Sequence, residues 1–127
     1  MALSNSQFDA IMRVYNKRQF QNKREQDRRI REIYEKIPQI EALNDEIAAV
    51  MAEAGRKNLM GDTESARALK EEAALLRKQK SQYLDRNGYP DNYMDMHYHC
   101  SLCKDTGRVD GRKCRCFKQM EIEVLYD

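Results

Sequence analysis

All four cysteines of this 127-residue chain fall inside one short stretch, as Cys100, Cys103, Cys114 and Cys116. The spacing is C-x2-C, ten residues, then C-x-C. A segment this short cannot bury enough apolar surface to hold a fold, so something besides burial must tie it together. The residues between the pairs indicate how they meet. Asp110-Gly111 is a strong signal for a two-residue hairpin turn. A hairpin with Gly107–Val109 against Arg112–Cys114 returns the second pair to the first.

The first pair reads as a tight knuckle that aims two thiolates at one point and leaves backbone N–H groups free to bond the sulfurs. Gly107 frees the backbone just after it, and Asp105 caps it. The second pair reads as extended strand, where alternate residues share a face. Four thiolates at the corners of a tetrahedron are what Zn²⁺ takes in a closed structural site, with Zn–S bonds of ~2.3 Å. Three cysteines plus His97 or His99 form the second possibility, and a disulfide or redox pair the third. Otherwise His97 and His99 are ordinary residues at the segment's edge. A catalytic zinc needs an open position and a base nearby. The neighbouring carboxylates are Asp105 and Asp110, and turn chemistry accounts for both. The expected metal is therefore structural. It supplies on the order of 10 kcal/mol of folding free energy, and on this reading metal-dependent folding is confined to residues 98–117.

The rest of the chain reads as helix. Charged residues make up 35% of it, and Pro38 and Pro90 are the two prolines. Ser4 or Asn5 caps a first helix, whose stripe is Phe8, Ile11, Met12 and Tyr15. Gln21 to Arg29 contains no apolar residue, yet no Gly or Pro either, so the helix is expected to cross a solvated stretch unbroken. Ile30, Ile33, Tyr34 and Ile37 restart the period. Pro38 suits the first turn of a second helix, with Ile40, Leu43, Ile47 and Val50 or Met51 on its buried face and Gly55 as its stop. Gly61-Asp62-Thr63 opens a third helix carrying Leu69, Ala73, Leu76, Tyr83 and Leu84, which Asn87-Gly88 ends. Pro38 to Asn87 is thus an antiparallel helical hairpin. Two arms cannot surround a core, so a third helix or a partner must complete it. The expected architecture is mainly α, with a helical region over residues 1–96. A small zinc-binding β-hairpin module and the start of a linker helix occupy residues 97–127.

Charge narrows the function only slightly. Lys and Arg number 23 against 21 Asp and Glu, a net of +2, which by itself indicates no nucleic-acid partner. No run of about 18 apolar residues is present to cross a membrane. A cytoplasmic location is the default expectation, and there clustered cysteines more often serve metals than disulfides. The sequence offers neither a phosphate-binding loop nor a nucleophile–base pair, so an enzyme is not expected.

The stretch "YHCSLCKDTGRVDGRKCRCFKQ", Tyr98 to Gln119, is followed by "IEVLY" and preceded by "GYPDNYMDM". Together with "IPQIEALNDEI" upstream, it resembles the N-terminal domain of bacterial primosomal helicase loaders of the DnaI/DnaC type. The resemblance implies a helical region and a zinc-binding segment ahead of a AAA+ ATPase, with the ATPase lying outside this chain. It also implies docking onto the hexameric replicative helicase, and contact with single-stranded DNA as a further partner. Family members vary in their metal ligands, including use of a histidine. Phe8, Ile11, Met12 and Tyr15 are the candidate helicase contacts, and packing on the Pro38–Asn87 hairpin is their competing role. Arg108, Arg112, Lys113 and Arg115, joined by Lys104 and Lys118, form a basic rim that suits phosphate or an acidic surface. The bland alternative for that rim is a solvated turn, since only Tyr98 and Phe117 stand near it for base stacking.

Overall fold

The computed structural model describes residues 2–126. The described elements are α1 (Asn5–Lys36), α2 (Pro38–Leu59), α3 (Thr63–Arg86), β1 (Arg108–Val109), β2 (Arg112–Lys113) and α4 (Arg115–Leu125). The mainly helical architecture with a small β-hairpin is as expected from sequence.

Helix α1 begins with a reciprocal cap. Ser4 Oγ accepts from the Gln7 N–H at 3.2 Å, and Gln7 Oε1 accepts from the Ser4 N–H at 2.9 Å, so two otherwise unpaired donors are satisfied. The helix then runs unbroken through the polar stretch. Ion pairs one turn apart, Lys23–Asp27 and Arg28–Glu32, support it there.

Pro38 stands in the first turn of α2. The expected stop at Gly55 is corrected: α2 continues to Leu59 and turns at Gly61, whose φ is +80°. A glycine inside a helix costs only about 1 kcal/mol. The left-handed conformation that ends the run is taken up by Gly61 instead. Asp62 then caps α3, its side chain accepting from the Ser65 N–H at 3.1 Å. At the far end Gly88 is left-handed, and the Tyr89 N–H reaches back to the Leu84 carbonyl at 3.0 Å.

Packing gathers the chain into two compact units, one formed by Met1–Asp27 with Asp95–Asp127, the other by Arg28–Met94. In the second unit Ile33 and Ile37 from the end of α1 meet Ile40, Leu84 and Met94, all buried. The third helix that the hairpin needs is therefore the C-terminal end of α1. Each fully buried aliphatic side chain stabilises by about 1.5–3 kcal/mol relative to exposure. Along α2 and α3, Ala54, Ala66 and Ala73 are buried as well. Small side chains there let the two arms approach closely. Tyr89 and Tyr93 donate to the two oxygens of Glu32 at 3.0 and 2.9 Å. Those bonds, Tyr93 first, hold the Glu32 carboxyl below its ordinary range.

Candidate metal centre

The four cysteine sulfurs lie within 4.8 Å of one another. Cys100 Sγ stands 3.7 Å from Cys114 Sγ, and Cys103 Sγ stands 3.6 Å from Cys116 Sγ. A tetrahedron with metal–sulfur bonds of ~2.3 Å has edges of about 3.8 Å, so these spacings fit one central ion. All four cysteines are free.

Each ligand is placed by a definable local device. After Cys103 the chain makes two successive left-handed residues, Lys104 at φ 53° and Asp105 at φ 58°. This folds the knuckle back on itself, with the Lys104 N–H bonded to the Cys100 carbonyl at 2.9 Å. Backbone N–H groups of Cys103, chiefly, and of Leu102 bond the Cys100 sulfur and lower its thiol to about 7. The hairpin then brings the second pair home. Arg108 pairs with Lys113 and Val109 with Arg112, around Asp110 at φ 52° and Gly111 at φ 77°. Two left-handed central residues are the turn that suits the natural twist of paired strands.

The second pair is not a strand, as the sequence suggested. Cys114 is the extended residue that caps α4 (φ −68°, ψ 157°), and Cys116 lies in the first turn of that helix. Alternation along a strand is replaced by the first turn of a helix as the reason both sulfurs face one point. The positive end of the helix also favours thiolate there. Burial, with crowding by the other cysteines, pushes the Cys116 thiol up to about 12. Four adjacent thiols cannot all ionise without a cation to balance them.

Asp105 organises the centre from behind. It is fully buried. Its carboxylate accepts from the His99 N–H and the Cys100 N–H, both at 2.9 Å, and from Asn22 Nδ2 at 2.6 Å. Burial alone raises its pKa, but these three bonds outweigh burial and the net shift is downward. Gln19 Nε2 donates to the Asp105 carbonyl at 2.6 Å. Gly107, at φ +82°, passes so close to the helix faces that a Cβ there would sit 3.1 Å from both Phe117 Cδ2 and Tyr15 Cε2.

His97 and His99 are both exposed and neither joins the sulfurs. His99 contributes its backbone N–H to Asp105, with its ring Nδ1 3.5 Å from the same carboxylate. Among the described residues, the group whose ligand atoms gather within 4.8 Å is the four cysteines, without either histidine.

The stripe on α1 packs on this centre and not on the Pro38–Asn87 hairpin. Ile11 and Tyr15 are buried with Cys103, Cys114 and Phe117, and Phe8 and Met12 pack against that cluster partly buried. Periodicity gave α1 an apolar face without saying which segment would meet it. Tyr15 lies parallel to Phe117, with ring centroids 6.0 Å apart and planes 5° from parallel. Of the basic rim, Arg108, Arg112 and Arg115 are exposed. Lys113 is engaged, 3.0 Å from Glu121 and 5.4 Å above the Phe117 ring. Sequence reasoning missed Gln19 and Asn22. Their signal was spacing: they continue the stripe of Phe8, Ile11 and Tyr15 as polar residues on an otherwise apolar face.

Comparison with family models, with curated proteins and with solved structures finds no match to this chain.

Proposed function

We propose that the cysteine cluster holds one Zn²⁺ as a closed structural centre, and that the chain is a docking domain of a bacterial helicase loader. The observation that carries the metal reading is the pair of sulfur separations, 3.7 and 3.6 Å, set against the tetrahedral edge. Soft thiolates in this geometry select zinc or iron among common ions, and metal analysis of the purified protein separates the two. Four sulfur ligands fill a tetrahedron and leave no position for a reacting water, which supports a structural role. Cys100, Cys103, Cys114 and Cys116 would hold the ion, and its contribution is to fix the knuckle, the hairpin and the start of α4 together.

The docking reading is supported by the residue pattern from Tyr98 to Gln119 and its likeness to the loaders. The test is a titration of the metal-loaded chain against the hexameric replicative helicase, beside a single-stranded oligonucleotide, over a range of salt. Binding to the helicase with shallow salt dependence is expected. No helicase binding, together with tight oligonucleotide binding that falls steeply with salt, would overturn it. The nucleic-acid alternative rests on the exposed Arg108, Arg112 and Arg115 of the hairpin rim, since Lys113 already pairs with Glu121.

A further inference from the structure

The cysteine centre is sealed by residues far from it in sequence. Ile11, Tyr15, Gln19 and Asn22 recur at intervals of three or four along α1, which places them on one helix face. Each meets the centre. Ile11 packs in the cluster with Cys103 and Cys114. The Tyr15 hydroxyl lies 2.9 Å from Cys116 Sγ. Gln19 donates to the Asp105 carbonyl and Asn22 to its carboxylate, both at 2.6 Å. Asp105 in turn holds the N–H groups of His99 and Cys100. A ligand sulfur and the backbone of the knuckle are thus both held from the same face of a helix that supplies no ligand.

We propose that this face of α1 is a clasp whose folding is controlled by metal occupancy, with Tyr15 as the positioning residue that donates its O–H to the Cys116 sulfur. The proposal rests on the metal-centre reading above. It extends metal-dependent folding from the cysteine segment to the first part of α1. With the metal gone, four free thiols no longer hold the knuckle and α4 together. The surface on which Ile11, Tyr15, Gln19 and Asn22 rest then loses its shape. The unit Arg28–Met94 has its own buried cluster, and the α2–α3 hairpin within it is expected to persist. Outer hydrogen bonds of this kind orient metal ligands, and their loss typically weakens metal binding about 10–100-fold.

The test is amide hydrogen exchange on the full chain, loaded with metal and after complete chelation. A Tyr15→Phe variant is loaded with Co²⁺ in parallel. Protection over residues 5–27 is expected to fall on chelation, while residues 38–86 keep theirs. Tyr15→Phe keeps the ring, so it should still bind one Co²⁺. Its sulfur-to-cobalt charge-transfer band should move to lower energy, because the Cys116 thiolate has lost a donor, and its affinity should fall about tenfold or more. Residues 5–27 exchanging at the same rate with and without metal would overturn the clasp alone. A Tyr15→Phe spectrum identical to that of the parent overturns the role given to Tyr15. A chain that takes up no metal overturns the metal-centre reading, and the clasp with it.

Discussion

Asn22 donates its side-chain amide to Asp105 Oδ2 at 2.6 Å, joining residues 83 positions apart. That bond completes a set of donors around a carboxylate fully removed from solvent. Asp105→Asn keeps the shape but removes the charge and turns one acceptor into a donor that faces other donors. Hydrogen bonds to charged groups contribute about 1.5–3 kcal/mol each. The variant is expected to lose at least about 2 kcal/mol in denaturant unfolding, with Asn22→Ala losing less. Unfolding curves for Asp105→Asn that overlay the parent would show that the buried carboxylate is not what holds the knuckle.

Serine at any one of Cys100, Cys103, Cys114 or Cys116 removes a sulfur from a set gathered within 4.8 Å. Each such variant is expected to lose stoichiometric zinc after gel filtration. His97→Ala and His99→Ala should each keep one zinc per chain, since neither ring joins the cluster. Elemental analysis decides it, and loss of zinc from either histidine variant would mean the ligand set is misassigned.

Two glycines should respond to alanine in opposite directions. At Gly107 the backbone is left-handed and a Cβ meets Phe117 and Tyr15 at 3.1 Å. Gly107→Ala is expected to destabilise by about 1–3 kcal/mol. Gly55 lies inside α2 with nothing within 4 Å of a new Cβ. Gly55→Ala is expected to stabilise by about 0.4–1 kcal/mol by restricting the unfolded chain. Thermal melts of the two variants give the comparison directly, and a Gly55→Ala protein that melts below the parent would count against the extended α2.

Glu32 links stability to pH. Its carboxyl is held below the ordinary 4.5 by the hydroxyls of Tyr93 and Tyr89. A carboxylate whose folded pKa is lowered stabilises fully above its unfolded value, and that contribution disappears as pH falls through the folded value. Glu32→Gln should therefore melt below the parent near neutral pH, and the gap should close in acid. Metal release in acid affects both proteins alike, so the difference between them is the readout. A gap of constant size from about pH 7 to about pH 3 would remove Glu32 from the account.

Much of this fold was legible because its boundaries rest on local chemistry. Pro38, Asp62, Gly88 and the Asp110-Gly111 turn each demand a backbone conformation that neighbouring sequence reveals. Gly55 misled because a glycine permits a helix end without requiring one, and Gly61 supplied the left-handed residue instead. The Cys114–Cys116 pair misled because C-x-C can bring its sulfurs together on a strand or at a helix start. The buried polar groups of α1 were the hardest to see. Asn22 and Arg29 lie in a stretch that reads as solvated, yet both are buried, Arg29 with its Nε donating to the Tyr93 carbonyl at 2.8 Å. Periodicity can mark such a position as lying on a buried face, but it does not name the distant partner that the side chain meets.

The bond between Tyr15 and Cys116 spans 101 positions, and this has a consequence for the order in which the chain is made. Synthesis runs from the amino end, and contacts distant in sequence must wait for the later partner. The α2–α3 hairpin can close as soon as residue 86 is available. The face of α1 carrying Ile11 and Tyr15 stays uncovered until the cysteine segment has emerged and closed. For that interval a nascent chain presents an apolar helix face that the finished protein conceals, and stalled chains ending before residue 100 should be cut by protease within α1 while their hairpin resists.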